Sequence, residues 1–373
     1  MIFQKGEFFN GPGGLALGAK MAGFIDEHGE EWGVEHAWAN DIDESACETF
    51  IHNICRTRPQ TVIHEDVRTL DFNILRELGA IDAFTFGFPC NDYSIVGEQR
   101  GLNGDYGPLY TYGVRVLNEF QPRFFVAENV SGLQSANEGQ AFARIIRDLS
   151  EAGYRVTPHL YKFQDYGVPQ ARHRIIIVGI RNDFNLEFRV PAPTHGNGEG
   201  LLPFRTAGQA LTDPPIPENA LNNELTRHTR KVIEMLNNIP PGQNAWYEGI
   251  PEHLRLNVKG ARMSQIYKRL DPDQPSYTVT GSGGGGTHMY HWDEPRALTN
   301  RERARIQTFP DNFVFIGGKE KVRQQVGMAV PPEGAKVIVE AILKTFAGIE
   351  YESIDSKWNA EDFILQPELV LVD

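Results

Sequence analysis

The stretch "EFFNGPGGLALGAKMAGF" (7–24) reads as the end of a strand, a glycine-rich turn and then a helix. Gly11, Gly13 and Gly14 let the backbone approach a ligand closely, where a helix presents its free N–H groups. The spacing is not G-x-G-x-x-G, and no Walker-type lysine follows. In isolation the segment reads equally well as a structural turn. After the first strand of a chain that alternates strands and helices, it favours a nucleotide-like ligand.

The alternation extends outward from this turn. Extended apolar runs lie at 6–9, 35–40, 61–64, 80–87, 123–129, 154–163 and 174–180. Helix-like stretches separate several of them. "DESACETFIHNI" (43–54) opens with acids. "EGQAFARIIRDLSEAGY" (138–154) sets Phe142, Ile145, Ile146 and Leu149 at helical spacing and stops at Gly153. Such a rhythm predicts a parallel α/β sheet over residues 1–184. From 185 to 275 Pro and Gly punctuate the chain, as in "TDPPIPENA" and "NIPPGQNAW", which predicts a separate, loop-rich domain. Its basic residues, from Arg189 to Arg269, are spread among aromatic and polar side chains. Regular structure returns over 276–346, where "PEGAKVIVEAILKTF" (332–346) carries an apolar face behind its leading proline.

Composition narrows the function classes. No apolar run reaches membrane-span length, and the N-terminus has no signal-peptide pattern, so a cytoplasmic protein off the membrane is expected. Cys47, Cys55 and Cys90 are three in number without C-x-x-C spacing, which argues against a disulfide framework or a zinc site. The net charge of −13 opposes nucleic-acid binding through overall charge but leaves room for a local basic face. The segment 347–373 carries seven acids against one lysine, nearly half of that net charge.

Several residues carry candidate chemistry. Asp41 follows the strand at 35–40 and suits ribose hydroxyls; Asp66 suits an exocyclic amine. Taken singly, each reads better as a helix N-cap. Cys90 follows Pro89 directly after "AFTFGF", where the C-terminal edge of a parallel sheet opens toward ligands. Free cysteine is usually a buried packing residue, yet Asn91, Asp92, Tyr93 and Ser94 beside it are polar. Glu128 ends the apolar strand "RFFVAEN" (123–129); desolvated there, a carboxyl group can protonate a base. Arg172 and Arg174 alternate in "QARHRIIIVGI" (170–180) and project to one side, suited to a phosphate, a base edge or a salt bridge.

In order and spacing, Pro-Cys, Glu-Asn-Val, Gln-x-Arg-x-Arg and the glycine-rich first turn resemble the cytosine-C5 DNA methyltransferases of prokaryotic restriction–modification systems. "QRGLNGDYGPLYTYGVRVL" (99–117) is similar to that family's mobile loop and following helix. "RALTNRERARIQTFPDNF" (296–313) and "QQVGMAVPPEGAKVI" (324–338) are similar to its closing motifs. The matches cover about 6–185 and 275–345. Asn10 and Pro12 in the turn, Asn91 after the cysteine and Met328 in the last motif depart from the family's usual residues.

The resemblance implies a doubly wound, Rossmann-like α/β catalytic domain binding S-adenosylmethionine, with 185–275 as a smaller target-recognition domain and 347–373 as an acidic tail. It implies Cys90 as nucleophile at C6 of a cytosine flipped from duplex DNA, Glu128 at N3, Arg172 beside the thiolate and Arg174 at O2 or a phosphate. It implies a cofactor site of Phe9, Gly11, Gly13, Gly14, Asp41, Ile42, Asp66, Val67, Pro89, Leu109, Met328 and Ala329. A monomer acting on double-stranded DNA at the nucleoid, beside a separate cognate endonuclease, is the implied setting. The alternatives are a tRNA cytosine-C5 methyltransferase of the same fold and a non-catalytic DNA-binding relative. The first carries a Cys-Phe-Thr signature in a region that here has no cysteine, and the second usually loses residues that are present here. A nicotinamide dehydrogenase would give Cys90 and Glu128 no joint role.

Overall fold

The structure, a computed structural model, describes residues 1–89, 109–257, 263–281 and 286–365. Its first elements are β1 (Ile2–Phe8), α1 (Gly14–Met21), β2 (Phe24–Ile25), β3 (Glu31–Asp41), α2 (Glu44–Ile54), β4 (Val62–His64), α3 (Phe72–Leu78) and β5 (Ala83–Gly87). Next come α4 (Tyr110–Phe120), β6 (Phe124–Val130), α5 (Gln140–Glu151), β7 (Tyr154–Lys162), β8 (Gln170–Ala171), β9 (His173–Arg181) and β10 (Val190–Pro191). The rest are α6 (Ala207–Thr212), α7 (Arg230–Leu236), β11 (Ser276–Tyr277), α8 (Asn300–Ile306), α9 (Lys319–Met328), α10 (Pro332–Ala347), β12 (Ser353–Ile354) and α11 (Ala360–Leu365).

They form two compact units. The first comprises the described parts of Met1–Lys162, His173–Ala192 and Pro332–Asp373; the second comprises those of Phe163–Arg172 and Pro193–Pro331.

The first unit is built on a sheet ordered β2-β3-β1-β5-β6-β9-β7, with β4 also paired to β3. β4, β3, β1, β5 and β6 run parallel. β9 is inserted antiparallel between β6 and β7. The parallel sheet expected from the strand–helix rhythm is present from β4 through β3, β1 and β5 to β6, with antiparallel pairings of β2 and β9 toward its edges. The connection from β7 to β9 holds only a single 3-10 turn (Phe163–Tyr166) and the short β8, and is too short for the crossover that parallel neighbours require.

Successive side chains of a strand face opposite sides of a sheet, and β3 shows both cores. Trp38 joins Phe8, Phe84, Phe86 and Phe125 in a cluster closed by Phe72 and Leu75 of α3, Val116 and Leu117 of α4, and Ile145, Ile146 and Leu149 of α5. Its neighbour Ala39 packs with Ala16 of α1 and Phe50 of α2 on the opposite face. Helices on both faces make the sheet doubly wound. Local signals fix the helix ends: Asp43 accepts from the Ala46 N–H at the start of α2, and Gly153, at φ 95°, terminates the turn after α5.

The second unit holds the loop-rich block and more. Its core includes Met235, Leu236, Ile239, Ile250, Leu254, Tyr290 and Ala297. Buried Arg269 braces it by donating to the carbonyls of Leu236, Ile239 and His291. β8 pairs in parallel with β11, and Thr299 forms a capping box with Glu302 at α8.

The units divide the chain differently from segments drawn on the sequence. The described residues of 276–331 belong with the loop-rich block, because their strand and helices pack within it. The described part of the acidic segment belongs to the sheet unit. There β12 pairs with β10, and the Trp358 and Phe363 rings stack edge-on against Phe142 of α5 at 5.0 and 5.1 Å.

Candidate active site

Parallel strands end on one edge, and the first unit gathers most of its candidate residues there. The register pairs Phe8 with Asn40, Phe8 with Phe86, and Gly87 with Glu128. The segments after β1, β3, β4 and β5 and the end of β6 thus share the carboxyl edge of the sheet, where doubly wound folds bind ligands.

Glu128 sits near the end of β6, with its side chain 11% exposed. Arg174 of β9 lies against it, Nε to Oε1 2.8 Å, at 13% exposure. The Nε–H is not aimed along that line, so the contact is an ion pair rather than a linear hydrogen bond. Gly87 leaves room for the carboxylate, since a Cβ there would stand 3.1 Å from Glu128 Oε2. The next residue, Asn129, is buried and donates through Nδ2 to the Phe88 carbonyl at 3.2 Å, while its Oδ1 accepts from the Val130 N–H at 2.8 Å. It ties the end of β6 to the chain running from β5 through Pro89. Cys90 and the loop at 96–107 lie outside the described residues, as do Asn91 and Ser94.

The glycine turn stands at the same edge. Phe9 takes φ 55°, Gly11 φ 49° and Gly13 φ 100°, the left-handed region that glycine tolerates and Phe9 does not favour. Gly13 caps α1 with no side-chain bond to the helix N-terminus. A Cβ on Gly11 would meet nothing within 4 Å. Buried Asn10 leaves its Oδ1 without a hydrogen-bond partner. Asp41 accepts from the Gly11 N–H at 2.8 Å and the Asp43 N–H at 2.9 Å. Burial pushes its carboxyl pKa up, against the pull of these bonds. Ile42 beside it is 63% exposed.

Asp66 is held in a fork by the Arg68 guanidinium, which lowers its pKa, and takes the Arg68 N–H as well. Val67 and Leu109 are buried and Pro89 is partly so.

Three candidates belong to the second unit. Met328 is 66% exposed at the end of α9, and Ala329 is buried. Arg172 is fully buried, donating from Nη1 to the Val279 carbonyl and from Nη2 to the Gly327 carbonyl, both at 3.0 Å. The two arginines of one motif thus have different surroundings.

Residues 3–344 match the family model for the C-5 cytosine-specific DNA methylase. The chain belongs to the C-5 cytosine-specific DNA methylases. It is 68% identical over 366 residues to the type II methyltransferase M.BbvI of Brevibacillus brevis, covering 97% of this chain and 96% of that one. It is 44% identical over 349 residues to the type II methyltransferase M.NgoFVII of Neisseria gonorrhoeae, covering 93% and 88%. In fold it is similar to a putative DNA modification methyltransferase from an Escherichia coli prophage, with a TM-score of 0.65 at 23% identity over 92% of this chain and 99% of that one.

The methylase is an enzyme acting on cytosine in DNA. Among its described residues, no helix is long and apolar enough to cross a membrane, and no cluster of His, Cys, Asp and Glu could hold a metal ion. Sequence reading missed Asn129, whose role depends on the Phe88 carbonyl 41 residues away. It also missed Gln170 and Gln307, which bond to each other inside the second unit. Their place in the quoted motifs was the available signal.

Proposed function

We propose that this DNA methylase transfers the methyl group of S-adenosylmethionine to C5 of a cytosine flipped out of a specific duplex sequence, through a covalent bond from Cys90 to C6. The Glu128–Arg174 pair carries the reading: an acid and a cation, both about nine-tenths buried, stand one strand from the segment leading into Cys90. The other cysteines are poor nucleophiles, since burial pushes the Cys47 thiol up to about 12 and raises that of Cys55.

The reaction balances on these groups. The Cys90 thiolate would add to C6 while the protonated Glu128 carboxyl gives its proton to N3; C5 of the resulting enamine would then bond to the methyl carbon as the methyl–sulfur bond breaks and S-adenosylhomocysteine leaves. Arg174 keeps the carboxylate in place and faces the base at O2. A water molecule acting as base would then take the C5 proton, the C6–S bond would break to free the thiolate, and N3 would return its proton to the Glu128 carboxylate. Extrusion of the base is required because a stacked ring hides both faces from this attack.

The turn fits the cofactor. An uncapped helix N-terminus, an orphaned Asn10 Oδ1, open space at Gly11, an acid at Asp41 and an exposed apolar Ile42 offer polar contacts for the amino-acid and ribose ends and an apolar wall for adenine. Phe9, Gly13, Gly14, Val67, Pro89, Leu109, Met328 and Ala329 complete the proposed set. S-adenosylmethionine supplies an electrophilic methyl group there. Asp66 would exchange one Arg68 contact for the adenine amine.

Basic residues of the second unit would contact phosphates, led by exposed Arg227, Arg230, Lys231 and Arg255. The alignment to the Brevibacillus brevis enzyme, 68% identical over 97% of this chain, extends into this unit and supports a shared target sequence. The enzyme would work as a monomer on DNA in the cytoplasm, beside a separate endonuclease. Bisulfite sequencing of DNA treated with the pure protein tests the reading: one recurrent modified site supports it, and unmodified DNA refutes it.

A further inference from the structure

Four segments far apart in sequence meet around three buried side chains in the second unit. Gln170, Arg172 and Gln307 are each 0% exposed. Gln170 Nε2 donates to Gln307 Oε1 at 2.7 Å, and its Oε1 accepts from the Val279 N–H at 2.8 Å. Gln307 Nε2 donates to the carbonyls of Val326 at 2.7 Å and Ala329 at 3.2 Å. Arg172 closes the ring by donating to the carbonyls of Val279 and Gly327. Backbone packing locks the same two segments. A Cβ on Gly327 would stand 2.0 Å from the Gly281 nitrogen and 2.1 Å from the Thr280 carbonyl carbon.

We propose that Arg172 is a positioning residue: with Gln170 and Gln307 it fixes the Gly327–Ala329 turn against Val279–Gly281, rather than supplying the positive charge that activates a thiolate. The proposal rests on the reading that Met328 and Ala329 face S-adenosylmethionine. Neutral carbonyls need a donor fork of fixed shape, and a planar guanidinium spans two of them as an ammonium cannot. Buried networks of this kind specify geometry because each missing bond strands a polar group.

The two roles predict different kinetics in the full-length enzyme. Arg172→Lys keeps the charge and loses the fork. Gln307→Met carries no charge to lose and breaks the same brace. A positioning role predicts that both variants raise the KM for S-adenosylmethionine about tenfold or more, as small misplacements do, with the acid limb of the kcat pH profile unmoved. It is overturned if Arg172→Lys matches wild type while Arg172→Gln moves that limb upward by about one pH unit. It is also overturned if neither brace variant changes the KM. Should Arg172→Lys fail to fold, Gln307→Met carries the same readout. Calorimetric binding of S-adenosylhomocysteine to wild type separates the layers. If it binds and the variants behave as wild type, only the positioning role falls; if it does not bind, the cofactor reading falls with it.

Discussion

Replacing Glu128 by Gln separates catalysis from stability at the proposed site. The gross attraction between unit charges 2.8 Å apart is about 6 kcal/mol at an effective dielectric constant of about 20. Most of that is offset by desolvation, and breaking a fully buried pair costs about 3–5 kcal/mol. Here both side chains keep about a tenth of their exposure, and Gln retains an oxygen facing Arg174, so the loss should be nearer ~2 kcal/mol. The enzyme remains folded. Gln cannot deliver a proton to N3, and removal of a general acid costs about 10²–10⁴ in rate. Transfer of tritiated methyl groups to duplex DNA should therefore fall about a thousandfold, with circular dichroism and duplex binding near wild type. Activity within tenfold of wild type would refute the proton-transfer role.

Asn129→Ala strands the Phe88 carbonyl and the Val130 N–H, at about 1–3 kcal/mol each, and should lower kcat more than duplex affinity; an unchanged kcat would remove Asn129 from the account. Gly327→Ala forces a methyl into the backbone at 280–281 and should prevent the second unit from folding cooperatively; a wild-type melting profile would contradict the packing. Burial holds His36 at about 3 and His288 at about 4. The unfolded chain therefore binds protons that the folded chain refuses, and stability falls as pH drops from about 6.5 toward 4. Urea midpoints should fall between pH 7 and 5, and His36→Asn should flatten that slope; an unchanged slope would show that His36 is not one of its sources. Duplex affinity should fall steeply with salt; a slope of log affinity against log salt near zero would deny the phosphate contacts.

Local pattern made the first unit legible. The run at 154–163 became β7 (Tyr154–Lys162), and that at 123–129 became β6 (Phe124–Val130), because period and punctuation are properties of a few neighbouring residues. The antiparallel insertion of β9 was not legible, since pairing partners are chosen across the sheet. The same limit applies at the site. Glu128 and Arg174 could be named from their motifs, and their pairing follows from the register of β6 and β9. Arg172 looked equivalent to Arg174 on the strand, yet its bonds reach residues 107 and 155 positions away. The acidic segment left open whether it packs or meets a partner, because the packing of Trp358 and Phe363 on Phe142 of α5 joins residues far apart in sequence.

The central claim is the bond between Cys90 and C6. Incubating the enzyme with S-adenosylmethionine and a duplex carrying 5-fluorocytosine at the target tests it directly, because fluorine at C5 cannot leave as a proton and the intermediate is trapped. The account predicts a denaturant-stable protein–DNA adduct that maps by mass spectrometry to the peptide containing Cys90 and is absent in Cys90→Ala. An active enzyme that forms no adduct, or one that maps to another residue, would contradict it.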